Sequence, residues 1–206
     1  MAREQPTDDQ LVEDSHHVLY EMEQIAGAVK RLAGLRAAGQ EAPEVDENAL
    51  LESIVMHARG LIEFAYSDNP RSDDINASDF VPDWREIRPA QTPFLKEVKK
   101  RTDKEMMHIT RARKIADELR IWTYGKLVNE LSLVLAEFIV RVPPQKVEPD
   151  FPVRARNAFP IARLREKELK TGEQAILIRP NLTIFGATHA APDLDIVDKS
   201  TEDPAD

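Results

Sequence analysis

The residues best suited to chemistry lie in one basic run near the middle of the chain, Arg101-Thr102-Asp103-Lys104-Glu105-Met106-Met107-His108. If this run is helical, Arg101 and His108 share a face, because seven residues return a helix to within about 20° of its starting direction. Lys104 and Arg111 lie on the same stripe. An imidazole moves a proton near neutral pH, and a guanidinium binds phosphate bidentately. The pattern therefore favours a site that acts on a phosphodiester.

The charge distribution points to the same region. The 206-residue chain has 28 basic and 37 acidic side chains, and its formal net charge is −9. From Lys96 to Lys114, however, eight basic and three acidic residues give +5, so the other 187 residues carry −14. An acidic chain lacks the global positive field that drives non-specific nucleic-acid binding, so an RNA site would have to be local. A charged helix face is also compatible with simple solvation, which leaves a non-catalytic interpretation open.

The spacing of Arg101 and His108 resembles the motif of the HEPN superfamily, in which an Arg precedes a His by several residues on a late helix of a small all-α bundle. Six residues separate the two motif positions here, and Thr102, followed by Asp103, stands where the family often has Asn, Asp or His. The resemblance covers about residues 10–142. It implies a homodimer whose paired motifs form a metal-independent cleft that cleaves or binds RNA. Members of the family often act in toxin–antitoxin or phage-defence systems.

Each candidate residue has a role under this hypothesis. His108 transfers the proton and Arg101 binds the phosphate, while Lys104 and Arg111 contact and orient the RNA. His57, on the apolar stripe of an earlier helix, is a candidate second-helix contributor. A His at such a position is more often a core residue with one hydrogen bond.

Two other functions fit the same sequence. One is a carboxylate/His metal-binding bundle, because Glu13-x-x-His16 and Glu105-x-x-His108 have the i,i+3 spacing of carboxylate di-metal sites. The two motifs fall on the first and third long helices, which disfavours this alternative, and no metal ligands are assigned. The absence of Cys excludes Cys-ligated zinc and Cys nucleophiles, and no Gly-rich phosphate loop is present, so no cofactor is expected.

The remaining alternative is a non-catalytic helical bundle that binds a protein partner through residues 143–192.

The elements that must position these residues are helices. Apolar residues recur at helical spacing over about residues 11–38, 47–66 and 121–142, and Arg59 and Glu63 are spaced to form an ion pair within the second helix. Thr92-Pro93 predicts the start of a helix that runs to about Leu119, with an alternative break at Thr102-Asp103. Asp83-Trp84-Arg85-Glu86 fits a capping box, and Phe80 and Trp84 are expected to pin the preceding loop to the bundle.

Composition divides the chain into four regions. We predict a disordered N-terminus at 1–10, an all-α up-and-down bundle of four or five helices at 11–142, and an acidic disordered tail at 193–206. Between them, 143–192 is a Pro-rich extension with a short basic helix at 160–170 and a β-hairpin at 175–185. No signal-peptide pattern, membrane span or motif that reads a DNA sequence is evident, so we expect a cytoplasmic protein that does not associate with membranes.

Overall fold

The computed structural model describes residues 3–37, 44–106 and 123–159, and all regular structure within these ranges is helical. The predicted all-α fold is therefore confirmed. The β-hairpin, the basic helix at 160–170 and the acidic tail lie outside the described residues. The helices are α1 (Asp8–Ala37), α2 (Glu44–Tyr66), α3 (Ala77–Phe80), α4 (Trp84–Ile87), α5 (Pro93–Glu105), α6 (Tyr124–Arg141) and α7 (Phe151–Ala158), with a 3-10 turn at Pro144–Lys146.

Helix α2 lies at the centre of this arrangement, because it packs against α1, α5 and α6. The apolar stripe predicted for the first helix is buried throughout, which is what helical periodicity requires of a core-facing surface. Helix α2 begins at Glu44, about three residues before the predicted start. The buried stripe of α1 consists of Leu11, Val18, Met22, Ile25, Val29 and Leu32.

An aromatic cluster forms the inner part of the core. Phe138 of α6 makes edge-to-face contacts with four other buried rings, at centroid distances of 4.9–6.3 Å. The indole N–H of Trp84 also donates to the carbonyl of Ala65, 2.8 Å away. The prediction that Phe80 and Trp84 pin the loop to the bundle is confirmed. The four rings around Phe138 are those of Phe64, Phe80, Trp84 and Phe151.

The helix caps agree with the sequence at one site and differ at another. Thr92 accepts a hydrogen bond from the Leu95 N–H at 3.1 Å, with Pro93 in the first turn, which confirms the predicted start of α5. The capping box predicted at Asp83 is wrong, because this residue is not in the extended conformation that an N-cap needs and its side chain makes no cap bond. The capping box lies instead between the extended Asn76 and Asp79.

The first part of the Pro-rich extension packs against α1 and α6. Phe151 and Phe159 are buried in the common core, and the Glu148 N–H donates to the Ser15 hydroxyl at 3.1 Å. Helix α7 was not predicted, because a Pro-rich segment is typical of a linker. Pro152, however, lies in the first turn of α7, where its missing N–H leaves no hydrogen bond unmade.

Within the described part of the chain, none of the helices has the combination of length and apolar composition needed to cross a bilayer.

Candidate nucleic-acid interface

Two ion pairs attach α5 to α2. The Arg59 Nε donates to the Asp103 Oδ1 at 2.5 Å, and Lys99 pairs with Glu63. The partners are four residues apart on each helix and occur in opposite order, so the two helices are antiparallel here and four alternating charges form a rectangle. We call Arg59, Glu63, Lys99 and Asp103 the charge rectangle. The predicted ion pair between Arg59 and Glu63 is wrong, because each of them pairs with α5 instead.

The inner face of α5 is apolar and continuous. Leu95, Val98 and Thr102 are buried, and the Thr102 hydroxyl donates to the Val98 carbonyl at 2.8 Å. The helix continues through Thr102-Asp103, so the alternative of a break there is wrong. Thr102 follows Arg101 directly, at the position where a polar residue is frequent in the HEPN motif. In this chain that side chain faces the bundle interior and is closed to a ligand.

The outer face of α5 carries a row of lysines. Lys96, Lys100 and Lys104 are all exposed, and each is one turn, about 6 Å, from the next. We call these three residues the lysine ridge. Lys96 forms no ion pair with any residue of the described ranges, while Lys100 lies 3.7 Å from the exposed Glu97. Exposed pairs of that kind contribute little, so the ridge remains a positively charged surface.

Arg101 lies beside the lysine ridge, on the side of α5 that faces α6. It is seven positions after Phe94, so the two side chains leave the helix axis in about the same direction. The ring of Phe94 lies under the ammonium group of Lys126 in α6, 4.5 Å from the ring centroid. Arg101 is half-buried, and both Arg101 and Lys104 interact with other groups of the chain.

The other two members of the predicted motif, His108 and Arg111, lie outside the described residues. Helix α5 ends at Glu105, and the N–H of its C-cap, Met106, donates to the Thr102 carbonyl at 3.0 Å. The prediction that this helix runs to about Leu119 is therefore wrong. The shared face of Arg101 and His108 requires the helix to continue past Glu105, so their proximity stays a prediction without support from α5.

His57 lies at the contact between α1 and α2. Its Nδ1 is 2.8 Å from the Glu21 Oε2, its ring meets Tyr20 edge-on, and 21% of its side chain is exposed. Arg59 is two positions after His57, which is about 200° around a helix. Because Arg59 faces α5, His57 faces away from it. The described residues therefore do not bring His57 to Arg101, and the single hydrogen bond agrees with a structural role.

The alternative metal site gains no support from the described ranges, where no group of three or more His, Asp or Glu side chains could hold an ion. His16, one of the two histidines in the di-metal spacing, instead has its Nε2 2.6 Å from the Glu148 Oε1.

A second polar feature lies at the start of the chain and was missed by sequence reasoning. Arg3 makes two hydrogen bonds to Asp79, of 2.6 and 2.8 Å, and the Asp79 side chain is only 4% exposed. These hydrogen bonds raise the pKa of Arg3. Beside them is an acidic cleft of about 530 Å³, where burial raises the pKa of Asp14. The sequence predicts disorder for 1–10 and carries no local signal that residues 76 positions apart would pair.

No family model, curated protein or solved structure matches this chain.

Proposed function

We propose that this protein binds RNA through the outer surface of α5 and cleaves it as a metal-independent, HEPN-like endoribonuclease. The observation that carries this proposal is the lysine ridge, three exposed cations one turn apart on an otherwise acidic protein. A regular row of ammonium groups suits a phosphate backbone, because it supplies sequence-independent attraction.

The surroundings of the lysine ridge support this assignment. On one side, Asp103 and Lys99 are neutralised by their partners on α2. On the other side lies Arg101, whose planar guanidinium suits bidentate binding of a phosphate. A strand that follows the lysine ridge would therefore pass Arg101, and His108 follows seven positions later in the sequence.

The chemistry of the proposed cleavage needs only groups of the protein and the RNA. His108 accepts the proton of a ribose 2′-hydroxyl, and the 2′-oxygen attacks the adjacent phosphorus. The bond from phosphorus to the 5′-oxygen breaks, a proton returns to that oxygen, and a 2′,3′-cyclic phosphate remains. Arg101 would stabilise the charge that develops on the phosphate oxygens, while Lys104 and Arg111 hold the RNA.

A cleavage assay in EDTA tests the proposal. We expect the wild type to cleave RNA without metal and His108→Ala to lose at least about 100-fold in rate, the lower end of the range for general acid–base catalysis. His16→Ala is the matched control, because His16 is an exposed histidine on α1. Cleavage that needs a divalent metal, or that survives His108→Ala, would contradict a ribonuclease of this type.

We also propose that the protein is a homodimer and a toxin or phage-defence component, as the resemblance implies. Sedimentation equilibrium should give twice the chain mass. Expression should arrest growth, and His108→Ala should relieve the arrest. A monomer that is harmless on expression and has no affinity for RNA would favour the alternative of a helical interaction protein.

A further inference from the structure

The charge rectangle gives Arg59 a role beyond joining two helices. Asp103 lies between Arg101 and Lys104 in the sequence of α5, in the middle of the cations assigned to phosphate. A carboxylate there would repel a bound phosphate, because two like charges 4 Å apart interact by about 1 kcal/mol even in bulk water. The Asp103 carboxylate is instead turned to α2, where it accepts a hydrogen bond from Arg59 at 2.5 Å.

We propose that Arg59 is a positioning residue for RNA binding: it holds and neutralises the Asp103 carboxylate, so that α5 presents a net positive surface to the phosphates. This inference rests on the proposed function. Arg59 does not itself touch the RNA, and its effect passes entirely through Asp103.

The exposure of the pair suits this role. The Asp103 side chain is 41% exposed and that of Arg59 is 33% exposed, so the pair lies at the solvent edge of the α2–α5 contact. A fully buried pair would lie farther from a ligand on the surface, whereas the partly exposed Asp103 lies next to the lysine ridge, where its charge would act on a bound strand. Holding two helices together at a solvent edge contributes little to stability, which leaves room for an electrostatic role.

The second pair of the rectangle provides an internal comparison. Glu63 and Lys99 have similar exposures, 33% and 36%, and join the same two helices. The order of charge is reversed, because here α5 supplies the cation. Breaking this pair with Glu63→Gln releases a positive charge on α5, whereas breaking the other pair with Arg59→Gln releases a negative charge.

A double-mutant cycle on RNA affinity tests the inference. The probe is a single-stranded 2′-O-methyl oligoribonucleotide at low salt, which lacks the attacking hydroxyl and stays intact. We expect Arg59→Gln to weaken binding about fivefold, the size of one close charge interaction near water. Asp103→Asn alone should change affinity by less than about twofold, and Arg59→Gln combined with Asp103→Asn should return to within about twofold of the wild type.

The controls separate electrostatics at this site from global charge and from folding. Arg154→Gln breaks an ion pair with Glu23 on α1 and changes the net charge equally, so it should leave affinity within about twofold. Glu63→Gln should leave affinity unchanged or strengthen it. Thermal unfolding of each variant identifies any that fails to fold. If Arg59→Gln does not fold, Arg59→Lys is compared with Arg59→Met instead. Arg59→Lys keeps the charge and should retain affinity.

Each outcome decides between defined possibilities. If Arg59→Gln weakens binding by the same factor in the wild type and in the Asp103→Asn variant, Arg59 contacts RNA directly and the inference is wrong. If Arg59→Gln has no effect in a wild type that binds RNA, the inference is also wrong, while the proposed function stands. A wild type without affinity for the oligonucleotide overturns the proposed function and this inference together.

Discussion

The Arg59 Nε and the Asp103 Oδ1 are 2.5 Å apart, and this contact joins α2 to α5 across 44 positions of sequence. Both side chains are partly exposed, so the direct stabilisation should be small. We expect a coupling free energy of about 0.5–1 kcal/mol between them. Urea unfolding of Arg59→Gln, Asp103→Asn and the double variant measures it. A coupling above about 3 kcal/mol would show that the pair is mainly structural, against the role proposed for Arg59.

Phe138 should be among the most sensitive positions for stability, because it contacts rings from α2, α3, α4 and α7. Phe138→Ala should lower the free energy of unfolding by about 3–5 kcal/mol, since it removes a large buried side chain and leaves a cavity. Urea unfolding measures the loss. Leu133→Ala is the control, because Leu133 on the same helix is 44% exposed and should change stability by at most about 0.5 kcal/mol. Equal losses for both variants would contradict the packing described.

Arg3 should stabilise α3 through its bonds to Asp79, which lies in this helix. Arg3→Gln leaves the nearly buried Asp79 carboxylate without its cation, so we expect a loss of about 2–3 kcal/mol, somewhat below the cost for a fully buried pair. Asp79→Asn in the same chain should recover part of this loss, because it removes the uncompensated charge and keeps an oxygen for the Asn76 N–H. Melting temperatures of the wild type and these two variants check the prediction, and Arg3→Gln as stable as the wild type would refute it.

Asp14 should make stability depend on pH. Burial raises the pKa of its carboxyl above the ordinary value, so the folded protein disfavours the charged form. The stability that the Asp14 carboxyl contributes is therefore fully present below its pKa in the unfolded chain, about 3.9. It is lost as pH rises through the higher pKa in the folded protein.

The corresponding variant is Asp14→Asn, which should be more stable than the wild type at neutral pH by about 0.5 kcal/mol, with the difference fading in acid. Thermal unfolding over a pH series measures this, and Glu52→Gln, at an exposed position of α2, is the control. A variant that is less stable than the wild type at neutral pH would contradict the assignment.

Local sequence patterns predicted the helices and some of their ends. The stripe of α1 follows from helical periodicity, and the start of α5 follows from Thr92-Pro93, because both signals are contained within a few residues. The contacts that position the candidate site were not predictable in this way. A sequence pattern favours the i,i+4 pair of Arg59 with Glu63, whereas packing of α2 against α5 offers each of them a partner on the other helix.

The site itself was predicted only in outline. The charge count identified α5 as the basic element, but it could not separate the exposed lysine ridge from Lys99, which is engaged with α2. The apolar stripe of α2 placed His57 inside the bundle, and the structure gives it one hydrogen bond to Glu21 at the surface contact with α1. Whether a polar residue on such a stripe is core or site depends on its neighbour from another helix, which no single helix encodes.

The salt dependence of RNA binding tests the central claim most directly. The affinity for the 2′-O-methyl oligonucleotide is measured over a salt series for three proteins. They are the wild type, an α5 variant with Lys96→Gln and Lys100→Gln, and an α1 variant with Lys30→Gln and Arg31→Gln. If the lysine ridge contacts the phosphates, the α5 variant should lose about 1.4 from the slope of log affinity against log salt, about 0.7 per contact for a single strand, while the α1 variant keeps the wild-type slope. Equal slopes for all three proteins would contradict RNA binding by α5.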